Sequence, residues 1–296
     1  MKILLFIPVF RRPEILRMFV THMERALPAY AELLPYFVIS SKDDQFITQI
    51  KQVISGYDYF DTDNQPHGRK RNRALENALN FDWDYMMEMG SDDIWTPQLW
   101  RIYHPYLTTG NPYFGLKNIY FYNSITDRAA FVEDFHLNHF DQVSAIGPGR
   151  CTRRDVVEQC IPLWPDAAPF GLDNHSNEKV LRAGFPETVI NAGGTPLICD
   201  VKGGTCLTPW EDIDERGVHI EAEWLKSVFG LNEFASDITS ASGFHDQVIN
   251  VWRETRTMGE AFEIVNRAHE DKTGEKRYSN YASYRNSVSK KIRHGN

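Results

Sequence analysis

Two adjacent carboxylates, Asp92 and Asp93, follow the apolar run Tyr85-Met86-Met87-Glu88-Met89 with only Gly90 and Ser91 between. The run is apolar and aromatic apart from Glu88, and Ser91, the two acids and Pro97 behind it are turn chemistry. This pattern predicts a buried strand that delivers acids to a sheet edge. In open α/β sheets that edge is where ligands bind. Paired carboxylates there suit Mg²⁺ or Mn²⁺, which takes one or two protein carboxylates and completes its shell with substrate phosphates and water. For the pair taken alone a second reading stays open, in which Ser91 or Asp92 caps a helix beginning near Pro97.

The elements that position these acids are legible in the same way. Lys2 to Val9 is a near-continuous apolar run of the kind shown by a strand buried on both faces. Phe10-Arg11-Arg12-Pro13-Glu14 follows, then helical periodicity through Ile15, Leu16, Phe19, Val20 and Met23. Tyr36 to Ser41 repeats the pattern, with Lys42-Asp43-Asp44 at its end and a helical segment over 46–54, and Tyr57 to Phe60 is a third short strand. Gly68-Arg69-Lys70-Arg71-Asn72-Arg73 opens a helix with Ala74, Leu75, Ala78 and Leu79 on one face. Its basic first turn opposes the helix dipole, which makes sense if an anion sits there; a solvated basic face is the plainer alternative. The strand ahead of Asp92 is then the fourth in an alternating βα series, so a mostly parallel sheet flanked by helices is expected. No GxGxxG follows the first strand and no GxxxxGK[ST] occurs, so phosphate has to be held by other means. A metal on Asp92 and Asp93 with Arg or Lys help is sufficient.

Further along, the aromatic-rich stretch from Asn111 to Phe121 and the stretch from Thr126 to Phe135 read as a hairpin. His136 and His139 lack a third partner at zinc spacing and read as loop histidines. A glycine-rich turn, Ser144 to Arg150, leads into Arg153-Arg154 and a helix. Asp173 falls near the start of a helix carrying Leu172, Val180 and Leu181, where the dipole favours its ionised form. Pro196 to Thr205 is another strand and glycine turn, with Asp200 or Lys202 facing a pyrophosphate. From about Pro209 the chain turns charged and helical, with amphipathic pieces at Trp224, Leu225, Val228 and Phe229 and at Val248, Ile249, Val251 and Trp252, which suggests residues 1–208 as one domain and 209–296 as a helical extension.

A formal net charge of -8 excludes a surface basic throughout, so any nucleic-acid contact needs a local patch. The end of the chain supplies one. Lys272, Lys276, Arg277, Arg285, Lys290, Lys291 and Arg293 face the single acid Glu275, interleaved with Tyr278, Tyr281 and Tyr284. Basic residues among aromatics bind nucleic acid, and a solvated tail has the same composition. Cys151, Cys160, Cys199 and Cys206 show no CxxC spacing and fit free thiols in a reducing cytoplasm. The apolar start breaks at Pro8 and Arg11-Arg12, too early for a secretory segment, and no later run approaches a membrane span.

Taken together, the motifs resemble the GT-A fold glycosyltransferases, in particular the family-2-like inverting group, with phage enzymes among its members. Ile7-Pro8-Val9-Phe10-Arg11-Arg12-Pro13 resembles that family's first-strand motif, Pro-x-Tyr/Phe-Asn-Arg. Gly68 to Ala74 resembles its Gly-x-x-x-Ala/Arg-Arg-Asn helix start, Gly90-Ser91-Asp92-Asp93 its Asp-x-Asp-Asp metal motif, and Gly171-Leu172-Asp173-Asn174 the Glu-Asp pair that supplies a base. Two positions depart: Gly90 stands for the first acid and Leu172 for the Glu. The resemblance implies a nucleotide-sugar donor, UDP-linked, held by Pro8, Phe10, Arg12, Asp43, Arg71, Ser91 and Asp92. It implies Mn²⁺ or Mg²⁺ on Asp92 and Asp93, and Asp173 as general base. The acceptor would be a glycan hydroxyl or, given the basic tail, a hydroxymethylated DNA base. Two rivals are a nucleotidyltransferase, whose glycine-rich loop after the first strand is missing at Phe10-Arg11-Arg12-Pro13, and a binding module without turnover.

Overall fold

The computed structural model describes residues 1–42, 44–134, 143–167, 171–202 and 210–234. The first half alternates β1 (Lys2–Pro8), α1 (Pro13–Arg25), β2 (Glu32–Ile39), α2 (Ile47–Val53), β3 (Asp58–Asp61), α3 (His67–Ala78) and β4 (Tyr85–Glu88). Then come β5 (Asp93–Trp95), α4 (Gln98–Thr108), β6 (Tyr113–Leu116), β7 (Ile119–Asn123), β8 (Arg128–Val132), β9 (Cys151–Arg153), α5 (Arg154–Cys160) and α6 (Leu172–Arg182). The remaining described elements are β10 (Thr188–Ile190), β11 (Ile198–Lys202), α7 (Trp210–Arg216), β12 (Val218–Ile220) and α8 (Ala222–Phe229), with a short 3₁₀ turn at Leu231–Phe234.

Among the described residues the main sheet runs β10-β6-β9-β4-β1-β2-β3, and β3, β2, β1 and β4 are all parallel. β9 alone runs against its neighbours β4 and β6. The reason β1 reads as an unbroken apolar run is that it is central and buried on both faces, and the two-residue period divides it between two cores. Ile3, Leu5 and Ile7 pack with Leu16 and Phe19 of α1 and Leu99, Trp100 and Tyr103 of α4. Leu4 and Phe6 pack the other way, with Ala74, Leu75 and Ala78 of α3, Val156 and Val157 of α5 and Val180 of α6. This is the expected mostly parallel α/β sheet with helices on both faces.

In the order 3-2-1-4 the chain leaves β1 to one side and returns on the other, so a crevice opens outside the carboxyl ends of β1 and β4. A second sheet, β12-β8-β7-β11-β5, stands beside that crevice. Here the structure departs from expectation: Asp93 does not lie in a loop but begins β5, which pairs antiparallel with β11. Nor does Ser91 or Asp92 cap a helix, since α4 starts behind Pro97. Of the expected hairpin, 119–123 and 128–132 pair as β7 and β8, while 113–116, read as part of its first arm, is β6 in the main sheet. Beyond α7, β12 pairs with β8, and Leu225, Phe229, Leu231 and Phe234 share a core with Ile15, Met18, Tyr120 and Val201.

Several sequence readings lie outside the described residues: Asp43, His136 and His139, Cys206, the division at 208/209, the amphipathic piece over 248–252 and the basic tail over 272–296. Cys151, Cys160 and Cys199 are free and buried. No described helix is long and apolar enough to cross a membrane.

Candidate active site

Asp92, Asp93 and Asp200 bring carboxylate oxygens within 4.8 Å of one another at the crevice. Backbone pairing forces this meeting. β4 ends at Glu88; the Asp93 amide donates to the Gly90 carbonyl, closing a turn, and the Gly90 amide donates to Asp93 Oδ2 at 2.5 Å. β5 then pairs with β11 in a register that sets Asp93 opposite Asp200, and the Val201 amide donates to the Asp92 carbonyl. A Cβ on Gly90 would lie 2.7 Å from Asp92 Oδ1 and 2.7 Å from Asp93 Oδ2. A side chain at position 90 would therefore compete with the two carboxylates, which fold back into that space.

Like charges directly opposite across two strands repel. Burial pushes the Asp93 carboxyl well above the usual range, and Asp200 and Asp92 add to the shift. Burial also raises Asp200, to about 6, against the opposing pull of Lys202. Asp92 is the exception: burial works against its charge, but Arg12 and Lys202 outweigh it and hold the carboxyl below its ordinary value. Arg12 Nη1 donates to Asp92 Oδ2 at 3.0 Å and Lys202 Nζ to Asp200 Oδ2 at 2.5 Å. The other oxygens of the opposed pair, Asp93 Oδ1 and Asp200 Oδ1, are buried without a hydrogen-bond partner. Buried unsatisfied acceptors are rare, and hard oxygen donors in this number suit a divalent cation. The residues present fit such an ion. The group that could hold it adds Asp200 to the expected Asp92/Asp93 pair; from the sequence, Asp200 or Lys202 was expected to face a pyrophosphate.

The loop after β1 reaches the triad through strained backbone. Arg11 and Arg12 both have left-handed φ, 58° and 56°. Each such residue costs on the order of 1 kcal/mol and persists only where its surroundings over-determine it. Here Asp44 Oδ2 accepts the Arg11 amide at 2.5 Å while its Oδ1 accepts the Phe46 amide. Lys70, buried in α3, donates to the Val9 carbonyl at 2.7 Å and to Asn64 Oδ1, with its ammonium 5.9 Å from the Phe10 ring. Pro8 and Phe10 are half-buried at this edge, and Ser91 is buried.

A second charged group lies on the other side of β4. Asp173 occupies the first turn of α6, behind Gly171 at φ 69°. Arg150, fully buried, donates to the Asp173 carbonyl and Ser176 Oγ, each at 3.1 Å, and to Glu88 Oε1 at 3.4 Å; its Nη2 is 3.6 Å from Asp173 Oδ1. Arg71 lies over the Trp164 ring with Nη1 3.5 Å from Glu88 Oε2 and 3.9 Å from Asp173 Oδ1. Burial raises the Glu88 carboxyl in spite of Arg150. The glycine turn packs against the same acid, since a Cβ on Gly147 would lie 2.4 Å from Asp173 Oδ2. The Asp173 side chain remains 42% exposed, so a carboxylate backed by two guanidiniums faces solvent. Such a group can accept a proton from a bound hydroxyl.

Of the predicted site residues, the structure brings Arg12, Asp92 and Asp93 into one cluster and Arg71 and Asp173 into another. Glu88, Arg150, Lys70 and Asp200 were not assigned their structural roles from the sequence. The available signal was Glu88, a lone acid in an apolar strand, which requires a buried cation. The basic start of α3 also changes meaning. Lys70 is consumed by the β1 loop, Asn72 bonds Trp164 and Asp166, and Gly68 lets α3 close on the 164–166 segment, where a Cβ would lie 1.9 Å from the Pro165 carbonyl oxygen.

No protein-family model and no curated protein matches this sequence. Among solved structures, the chain is similar to S. aureus TarS 1-349 in complex with UDP-GlcNAc, at 12% identity over 100% of this chain and 92% of that one, with a TM-score of 0.47. It is similar to S. aureus TarS at 12% identity, covering 88% of this chain and 45% of that one, with a TM-score of 0.46. A 4-diphosphocytidyl-2C-methyl-D-erythritol synthase is similar at 10% identity over 65% of this chain and 89% of that one, TM-score 0.42.

Proposed function

We propose that this chain is a metal-dependent, inverting glycosyltransferase that moves a sugar from a nucleotide-sugar, a UDP-sugar first, to a hydroxyl acceptor. The observation that carries the reading is the carboxylate triad at the β1/β4 switch point, with two buried oxygens lacking partners, next to the solvent-facing Asp173. A divalent ion, Mn²⁺ or Mg²⁺, would neutralise charge on the departing diphosphate. Asp93 and Asp200 would hold it through their unpartnered oxygens, with Asp92 beside them. Pro8, Phe10 and Asp43 would contact the base and ribose, and Arg12 and Arg71 would face the phosphates. Asp173 Oδ2 would take the proton of the acceptor hydroxyl as its oxygen attacks the anomeric carbon. Arg150 and Glu88 keep that carboxylate in place from behind. In this reading residues 1–208 form the catalytic domain and 209–296 an extension, and the free buried thiols suit a reducing cytoplasm.

The acceptor is a glycan or a hydroxymethylated DNA base; the basic, tyrosine-bearing segment over 272–296 supports testing DNA. The experiment incubates the protein with a panel of nucleotide sugars and Mn²⁺, with and without glycan or hydroxymethylated duplex DNA, and measures nucleoside diphosphate release. Release that depends on Mn²⁺ and on one acceptor is expected. Pyrophosphate release from a nucleoside triphosphate and a sugar phosphate would overturn it in favour of a nucleotidyltransferase, and binding without release would leave a binding module.

A further inference from the structure

The triad already contains two cations of its own. Arg12 neutralises Asp92 and Lys202 neutralises Asp200, with the Lys202 and Asp200 side chains only 10% and 12% exposed. Lys202 ends β11, two residues beyond Asp200 and on the same face of the strand, and its ammonium lies 5.4 Å from the Phe121 ring. Asp200 is thus divided: Oδ2 is held by an ammonium and Oδ1 is buried without a partner. A divalent ion using Oδ1 would share one carboxylate with a fixed positive charge. In a buried setting that repulsion weakens cation binding by roughly tenfold or more. The same ammonium, next to the triad at the carboxyl edge, is placed to meet an anion that arrives with the ion.

We propose that Lys202 has two successive roles: it is the counter-ion of Asp200 while no donor is bound, and it turns to the diphosphate when metal and nucleotide bind together. The metal half follows from the geometry of the triad, and the phosphate half rests on the nucleotide-sugar reading above. One consequence separates this from a purely structural lysine. Removing the positive charge must tighten binding of the metal alone and weaken binding of the nucleotide with metal, whereas a disturbed fold weakens both.

The test follows free Mn²⁺ by electron paramagnetic resonance, and UDP binding by calorimetry, for wild type, Lys202→Gln, Lys202→Met and Lys202→Arg. Glutamine keeps a donor for Asp200 Oδ2, methionine keeps the side-chain length, and circular dichroism verifies the fold of each. For both neutral variants the Mn²⁺ dissociation constant without nucleotide should fall about tenfold, while UDP affinity at saturating Mn²⁺ should fall about tenfold or more. Lys202→Arg should stay near wild type in the metal titration. Mn²⁺ affinity unchanged or weaker in the folded neutral variants overturns the proposal. UDP affinity unchanged in them overturns its phosphate half. If wild type binds no UDP at all, the nucleotide-sugar reading fails and takes the phosphate half with it, while the metal titration still decides the counter-ion half.

Discussion

Asp93 and Asp200 share a buried space in which neither has a full set of partners, and this sets what single substitutions should do. Asp93→Ala removes one of the two orphan oxygens, so on the proposed reading UDP binding should lose its Mn²⁺ dependence and drop by at least tenfold, as EDTA should do to wild type. Calorimetry with and without EDTA checks this, and an affinity indifferent to both would remove the metal from the site. In the proposed reaction Asp173 acts on the acceptor instead, and Asp173→Asn keeps the bond from Arg150 to its backbone carbonyl but loses the proton acceptor. Turnover should fall by about 10²-fold or more with fold and UDP affinity preserved, measured by nucleoside diphosphate release. Near-normal turnover would move the base to another acid. Gly147→Ala probes the same carboxylate by displacement, because its new Cβ would lie 2.4 Å from Asp173 Oδ2 and the side chain would have to shift; turnover should fall with it in the same assay.

At the scale of elements, the site is a junction between two sheets rather than a loop decorated with acids. β4 delivers Glu88 to one charged group and, four residues on, Asp92 to the other; β11 answers with Asp200 and Lys202. α3 is held against the 164–166 segment through Gly68 and Asn72, and this contact sets where Arg71 stands relative to Glu88 and Asp173. Gly68→Ala would force its Cβ onto the Pro165 carbonyl oxygen, a backbone atom that cannot rotate away. Overpacking of this kind typically costs about 1–3 kcal/mol. Urea unfolding should show that loss, accompanied by reduced turnover; unchanged stability would mean that the segment shifts freely and does not brace α3.

For the molecule as a whole, the pH dependence of stability is a contest between groups that burial displaces in opposite directions. His22, on α1, packs 5.3 Å from Phe234, with Nε2 buried and unpartnered. Burial first, then Arg25, lowers it to about 4, against a weaker opposing pull from Glu233. Its folded value is below its unfolded one, so between pH 6.5 and 4 the unfolded chain binds the extra proton and stability is lost as the pH falls. The loss attributable to His22 is on the order of 2–3 kcal/mol by pH 4. Asp93 and Asp200 are raised instead, so the stability they contribute when protonated is lost as the pH rises through their folded values. The His22→Leu variant isolates the histidine: the difference between its unfolding free energy and that of wild type should grow in the variant's favour as the pH drops from 6.5 to 4. A difference constant with pH would show that His22 takes up its proton without penalty.

What the sequence determined by itself is what depends on local pattern. The unbroken apolar run of β1, the βα alternation up to β4, the turn chemistry at Gly90-Ser91-Asp92-Asp93 and the helix start at Asp173 were all legible, because strand burial, helical period and turn preference act over a few residues. The partners of those residues were not. Asp200 lies more than a hundred positions from Asp93 and meets it only through the β5–β11 register, and Arg150 meets Glu88 only because β9 enters the sheet antiparallel beside β4. No local spacing encodes a register between distant strands; it is chosen by which faces can be buried together. That choice converted a pair of acids into a triad with its own cations, and a lone glutamate into the anchor of the arginine behind Asp173.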